Sequence, residues 1–421
     1  MQVVRLTTIH GIYEGILLPS QGTSAVIKLR NGYNVGVKRA HITKEEILGN
    51  RETTANPTPS IVQSDKPLVS ILHLGGTIAA KVDYATGATV AQFDPAELLT
   101  MFPELRDEAR IESKLVRNMQ SDHMQPGHYN VIADAIAEEL KKKPHGIVIS
   151  HGTDTMQYTA AALSFILEGC PVPIIIVGSQ RSSDRGSSDA GMNLVAAVHF
   201  IVNTQWTGVG VCMHKTSNDD VCWIIPGTNV GKMHTSRRDA FRPVNSLQIA
   251  DIDVPSRTIT YINSQVSSPT EFRIRRVDPS LKIGLVRVHP GIRHTELMFY
   301  EGYDGLVLEG TGLGHAPIQQ LDEESAENTP IWESLQHLAK TMPVVMTSQC
   351  MYGRISLQVY TPGRQLQDAG VLGHDCDMPS WTAYMKLLWL LSNERDNVRE
   401  LYSTNLRGEI SERTVMDSFL R

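Results

Sequence analysis

From Leu68 onward, short runs of β-branched and aliphatic residues alternate with stretches of helical periodicity. The first runs are LVSILHL, GIVISHG, PIIIVGS and TGVGVCM, and between them Ile132, Ile136 and Leu140 recur every four residues. Such alternation is typical of βαβ units around a parallel sheet. It lapses around 205–278 and resumes with KIGLVRV, GLVLEG and PVVMTSQ. The sequence therefore predicts an α/β fold with two domains.

The N-terminal end has a different sequence pattern. Its first 48 residues form short Val-, Ile- and Thr-rich runs cut by glycine, and Asn31-Gly32 is a strong hairpin signal. A Pro-rich, aperiodic stretch follows, typical of a linker. We predict a small β-barrel-like domain over 1–49, a linker over 50–67, and α/β domains over 68–270 and 271–421.

Composition limits where the protein acts and what it binds. The longest apolar runs, such as residues 171–178, are far shorter than the roughly 20 residues that cross a bilayer. The start MQVVRLTTIHG lacks the features of a secretory signal, so we expect a cytoplasmic protein without a membrane span. The net charge of −6 divides into +3 for residues 1–48 and −9 for the remainder. That distribution does not favour nucleic-acid binding over the whole surface.

Polar residues follow two of the predicted strands, where an open parallel sheet places its functional loops. Gly75-Gly76-Thr77 follows the first strand, and Thr153 and Asp154 follow the second, directly before a predicted helix. A turn residue is an equally common role for Thr77, and helix capping is the alternative for Thr153 and Asp154. Lys232 lies in an irregular stretch, where a lone lysine is most often a surface residue.

These residues nevertheless form a chemically complete set for amide hydrolysis. A threonine hydroxyl, such as that of Thr77, must lose its proton to attack an amide carbonyl, and Lys232 can take that proton while the carboxylate of Asp154 holds the lysine. The amides of a glycine turn can stabilise the oxyanion. The histidines show no metal-ligand spacing, so we expect no metal and no cofactor in this chain.

Several strings give the chain a family resemblance: LHLGGTIA, VISHGTDTM, VGSQRSSDRGSSDAGMN, GKMHTSRRDAF, GLVLEGTGLGHAP and DMPSWTAYMKLLWLL. Together they resemble the L-asparaginase family over about residues 68–421. The resemblance implies the α/β fold of that family, a two-domain body with parallel sheets preceded here by a small all-β domain. It implies that Thr77 is the nucleophile and that Tyr84, in a lid, assists it. It also implies catalytic roles for Thr153, Asp154 and Lys232.

The same resemblance implies which residues bind substrate. They are Gly76, Ser121, Asp122 and Gly152. Asp122 departs from the pattern, because many asparaginases carry Gln or Ser there. An acid at this position changes how the substrate's amino group is held and favours the longer substrate.

The N-terminal string YEGILLPS, followed by VIKL and NGYNVGV, is similar to one branch, the D subunits of archaeal glutamyl-tRNA(Gln) amidotransferases. This implies a glutaminase that passes ammonia to a kinase/transferase partner, an E-type subunit. The partner would use ATP and Mg²⁺ and hold most of the Glu-tRNA(Gln). The resemblance further implies a homodimer core carrying two partner chains, an α2β2 heterotetramer. A free-standing asparaginase or glutaminase, and an inactive scaffold, are the alternatives.

Overall fold

The computed structural model describes residues 2–18, 23–29, 34–50, 65–76, 80–82, 89–91, 102–182, 187–263, 271–414 and 416–419. Within these ranges the chain forms an antiparallel sheet near its start, a large mixed sheet, and a parallel sheet toward its end. None of the helices in these ranges is both long enough and apolar enough to cross a membrane.

The first sheet is small and entirely antiparallel. Its strands are β1 (Gln2–Thr8), β2 (Gly11–Leu18), β3 (Ser24–Leu29), β4 (Asn34–Lys38) and β5 (Ile42–Asn50), in the order β4-β3-β2-β1-β5. Alternate residues of β1 point inward, so Val4 and Leu6 pack against Ala25 and Ile27 in a core of their own. The residues of the predicted Asn31-Gly32 turn lie outside the described ranges, but the strands on either side of it, β3 and β4, pair antiparallel.

The middle of the chain contributes most of the strands. They are β6 (Leu68–His73), β7 (Ala80–Val82), β8 (Thr89–Ala91), β9 (Arg110–Leu115), β10 (Gly146–Ser150), β11 (Leu167–Glu168), β12 (Pro173–Val177), β13 (Gly208–His214), β14 (Val221–Pro226), β15 (Val230–Lys232), β16 (Phe241–Pro243), β17 (Ala250–Asp253), β18 (Thr258–Tyr261) and β19 (Arg273–Ile274). Eight of them form one sheet in the order β18-β17-β14-β13-β12-β10-β6-β9. The half from β9 to β13 is parallel, and the half from β13 to β18 is antiparallel.

Helices cover both faces of this sheet. They are α1 (Leu105–Glu108), α2 (Pro126–Leu140), α3 (Met156–Ile166) and α4 (Ala190–Asn203). Helices α2 and α3 pack on one face and α4 on the other, so every residue of β6, β10 and β12 is buried. Burial on both faces explains why these strands read as continuous apolar runs.

The C-terminal part repeats this plan with a smaller sheet. Its elements are β20 (Ile283–Arg287), α5 (His294–Met298), β21 (Gly305–Gly310), α6 (Asn328–Thr341), β22 (Val344–Ser348), α7 (Thr361–Asp368), α8 (Ser380–Asn393) and α9 (Val398–Leu401). The three strands are parallel, in the order β20-β21-β22. Helix α8 joins the two α/β parts, because it packs on α3 and contacts β21 and β22 as well. The predicted α/β class is confirmed.

One predicted helix is too long. The periodicity predicts a helix over residues 155–168, but α3 ends at Ile166. Leu167 and Glu168 form β11 instead and pair antiparallel with β19. The reason is tertiary, since the partner strand comes from a segment more than 100 residues later in the chain.

A fully buried ion pair anchors the C-terminal segment to α8. The Nζ of Lys386 lies 2.5 Å from Oε1 of Glu409, and both side chains are 0% exposed. The same Nζ donates to the carbonyl of Thr404 at 2.6 Å, and the backbone amide of Leu406 donates to Oε1 of Glu409 at 3.0 Å. Burial lowers the pKa of Lys386 against the opposing effect of Glu409. These contacts hold residues 404–409 against α8.

Candidate active site

Lys232 lies against the loop that follows β10. Its Nζ donates to Oγ1 of Thr153 at 2.8 Å and to Oδ1 of Asp154 at 2.7 Å. The lysine side chain is only 10% exposed, whereas that of Asp154 is 71% exposed. The surface-residue interpretation of Lys232 is therefore wrong. The structure brings together three of the predicted catalytic residues, with one carboxylate facing solvent.

The side chains of this loop do not cap the helix that follows. Thr155 is the N-cap residue of α3, yet no side-chain capping bond is formed at this helix start. Its hydroxyl donates instead to the carbonyl of Ser121 at 2.6 Å. The Asp154 carboxylate accepts from Lys232. The loop is therefore held by tertiary contacts, and the capping alternative does not describe it.

Glycines let three chain segments approach one another closely. A Cβ atom on Gly76, whose φ is +82°, would lie 2.8 Å from the amide nitrogen of Gly152. A Cβ on Gly152 would lie 2.8 Å from both Cβ and Oγ of Ser121. Neither glycine position has room for a side chain. The end of β6, the end of β10 and the turn at Ser121 thus meet in one place.

The proposed substrate-binding residues differ in exposure. Ser121 is buried, and Asp122 beside it is exposed; both belong to a short 3₁₀ turn over Ser121–His123. Asp122 and Asp154 both present carboxylates to solvent near the glycine contacts. Such acids are suited to a substrate ammonium group.

Two predicted catalytic residues, Thr77 and Tyr84, lie outside the described residues. Gly76, which directly precedes Thr77 in the chain, is described and contacts Gly152 as above. The roles of Thr77 and Tyr84 therefore stay predictions.

The side chain of His151, to which the sequence motifs assign no role, supports this loop. The Nδ1 of His151 lies 2.6 Å from the carbonyl oxygen of Gly152, and its Nε2 lies 2.8 Å from Oγ1 of Thr159 on α3. Since a carbonyl only accepts, Nδ1 carries the proton and Nε2 accepts from the threonine. Burial lowers the pKa of His151 to about 4. A neutral imidazole therefore braces the backbone next to Thr153. Its place directly after an apolar strand run was the only sequence signal.

Family models match three parts of the chain. The asparaginase N-terminal model covers residues 68–266, and the glutaminase/asparaginase C-terminal model covers residues 282–401. A model described as the GatD N-terminal domain covers residues 1–48. The D subunit of glutamyl-tRNA(Gln) amidotransferase from Pyrococcus horikoshii is 41% identical, covering 97% of this chain and 93% of its own length.

The chain belongs to the family of glutamyl-tRNA(Gln) amidotransferase D subunits. The D subunit of Thermococcus kodakarensis is 42% identical over the same shares of the two chains. Solved structures match the D-subunit fold as well. The thermostable L-asparaginase of Thermococcus kodakarensis has 30% identity and a TM-score of 0.73, covering 82% of this chain and 100% of its own. L-asparaginase I of Vibrio cholerae has 27% identity and a TM-score of 0.69, covering 82% and 99%. This D-subunit family member therefore has an asparaginase-like body preceded by a small β domain.

Proposed function

We propose that this chain is the glutaminase subunit of a tRNA-dependent amidotransferase. It hydrolyses glutamine to glutamate and ammonia, and it delivers the ammonia to an E-type partner that converts Glu-tRNA(Gln) to Gln-tRNA(Gln). The observation that carries the proposal is the contact of Lys232 with Thr153 and Asp154, beside the glycine that precedes Thr77. The name of the relatives, which are amidotransferase D subunits, supports the coupling to tRNA.

The proposed chemistry is acyl transfer through threonine. The amine nitrogen of Lys232 accepts the proton of the attacking Thr77 hydroxyl, and Tyr84 assists this step. The hydroxyl oxygen bonds to the side-chain carbonyl carbon of glutamine, and backbone amides of the glycine turn stabilise the oxyanion. Ammonia leaves with the transferred proton, and water then hydrolyses the ester to regenerate Thr77. Thr153 and Asp154 hold the lysine Nζ in place.

Substrate binding in the proposal uses the segments that meet around Gly152. Ser121 and the backbone at Gly76 and Gly152 hold the α-carboxylate, and the exposed carboxylates of Asp122 and Asp154 hold the α-ammonium group. The negative charge of −9 outside residues 1–48 favours tRNA binding mainly by the partner. ATP and Mg²⁺ are assigned to the partner, and none to this chain. The assembly we propose is a homodimer of this chain with two partner subunits.

The function is tested by ammonia release from glutamine and from asparagine, with the purified chain alone and with the partner subunit plus Glu-tRNA(Gln). We expect the chain alone to release little ammonia from glutamine. The rate should rise strongly when the partner subunit and Glu-tRNA(Gln) are added. Rapid release from asparagine by the chain alone, unchanged by tRNA, would instead support a free-standing asparaginase. This is the second candidate function, because the similar solved structures are asparaginases.

Lys232→Met is expected to lower kcat for glutamine hydrolysis on the order of 10²-fold or more, because general-base catalysis is removed. The matched control is Lys215→Met. Lys215 pairs with Asp251 of β17 at 2.6 Å and is not among the residues assigned to the proposed site. The control should keep its activity within about twofold. Equal activity of the two variants would place the base on another residue.

A further inference from the structure

A hydrogen bond joins the turn before the Lys232 strand to the C-terminal α/β part. Oγ1 of Thr382, in the first turn of α8, donates to the carbonyl oxygen of Thr228 at 2.6 Å. Both threonines are buried. Thr228 lies in the turn that leads into β15, four residues before Lys232. A buried hydrogen bond between the two parts of the molecule thus fixes the backbone just ahead of the lysine.

Trp381 supports the same strand from the side. A Cβ atom on Gly231 would lie 2.9 Å from each of two ring carbons of Trp381, Cη2 and Cζ2, and 2.8 Å from Cε of Met233. Such a distance requires something to move, so Gly231 is a position where backbone and indole ring are in direct contact. The Trp381 side chain is only 7% exposed, so it has little freedom to shift. The ring therefore limits where the neighbouring Lys232 can lie.

The other strand of the hairpin, β16, is held in the same way just after it ends. Asn245, two residues after β16, donates through Nδ2 to the carbonyl of Asp377 at 2.7 Å. Its Oδ1 accepts from the amide of Gly353 at 2.9 Å. Both strands of the hairpin that carries Lys232 are therefore fixed at its open end by segments from the C-terminal part.

We propose that Trp381 and Thr382 are positioning residues for Lys232, so that α8 of the C-terminal α/β part sets the rate of the reaction at the ends of β6 and β10. This inference rests on the proposed function, in which Lys232 is the base. Reacting groups displaced by about 1 Å lose on the order of 10²-fold in rate, so small shifts of β15 matter. Neither residue lies among those assigned to substrate, so their loss affects turnover and leaves binding intact.

The test is Thr382→Val, which keeps the shape of the side chain and removes the hydroxyl donor. In the full chain, measured alone and with its partner subunit, we expect kcat for glutamine hydrolysis to fall about tenfold while KM stays within about twofold. Thr382→Ser restores a hydroxyl and should recover kcat to within about twofold of the parent chain.

The matched control is Thr347→Val. Oγ1 of Thr347 is buried and donates to the carbonyl of Met378 at 2.9 Å, a bond that lies within the C-terminal part. It should lower the melting temperature as much as Thr382→Val does and leave kcat unchanged. Equal kcat in the two variants overturns the inference.

Gly231→Ala changes the contact between the strand and Trp381. It is the test to use if Thr382→Val does not fold. It should lower kcat about tenfold with KM within about twofold, because the added methyl group displaces Trp381 or the strand in addition to the end of the Met233 side chain. An unchanged kcat overturns the inference. The inference and the role of Lys232 as the base separate through Lys232→Met: if that variant is fully active, Lys232 is not the base, whereas if it is inactive and both positioning variants are normal, only this inference fails. The proposed function itself fails if the parent chain, with its partner and Glu-tRNA(Gln), releases no ammonia from glutamine.

Discussion

Thr77→Ala is expected to abolish ammonia release from glutamine, with the rate falling on the order of 10⁴-fold or more, the scale of losing a covalent nucleophile. In the proposed mechanism the ester intermediate forms on this hydroxyl, so its removal takes away the nucleophile. In the proposed mechanism, the hydroxyl of Thr153 accepts a hydrogen bond from Lys232 and serves to hold that residue. The measurement is steady-state ammonia release, combined with a thermal melt to show that the variant is folded.

Thr77→Ser is the matched variant, because it keeps the hydroxyl and loses only a methyl group. It should retain activity to within about tenfold, the cost of a less restrained side chain in a positioned reaction. A denaturant quench during turnover, followed by peptide mapping, should find the acyl group on the peptide that contains Thr77. Finding it on the peptide with Thr153, or normal turnover in Thr77→Ala, would exclude Thr77 as the nucleophile.

Lys386→Met is expected to lower the free energy of unfolding by about 3–5 kcal/mol, the usual cost of removing one member of a buried ion pair. The variant leaves the Glu409 carboxylate fully buried, with backbone amides of Leu406 and Arg407 as its remaining donors. Urea unfolding followed by circular dichroism measures the change as a lower transition midpoint.

Lys141→Met makes the same substitution in an exposed pair. Nζ of Lys141 lies 2.7 Å from Oε1 of Glu138, and the two side chains are 69% and 58% exposed. Loss of this pair should lower the free energy of unfolding by about 0.5 kcal/mol or less. The double variant Lys386→Met with Glu409→Gln should recover part of the loss, since no unpaired charge stays buried. If the two lysine variants unfolded at the same urea concentration, the burial argument would be wrong.

Much of the fold and part of the site could be predicted from sequence because both depend on local patterns. Continuous apolar runs marked β6, β10 and β12, and parallel strands place the residues after them at one edge of the sheet. That rule located Gly76 and Thr153. Lys232 was found by chemical reasoning alone, since its irregular surroundings carry no positional signal. The contact that joins it to Thr153 spans 79 residues of sequence.

Contacts between distant segments could not be predicted, for a physical reason. The apolar pattern of α8 shows that the helix is buried, but periodicity does not identify the surface against which a helix packs. Nothing in the sequence around Trp381 and Thr382 points to Gly231 or Thr228. The pairing of Leu167–Glu168 with a strand from a later segment was missed for the same reason.

The bond between Thr382 and Thr228 joins residues 154 positions apart, which bears on the order of events at the ribosome. At about 5–20 residues per second, α8 is translated roughly 8 to 30 seconds after the Lys232 strand. During that interval the nascent chain already holds every residue we assign to catalysis, but its lysine strand lacks the support of α8. On the proposed mechanism, the chain gains full glutaminase activity only after α8 has been translated, so little ammonia is released from nascent chains that still lack this helix.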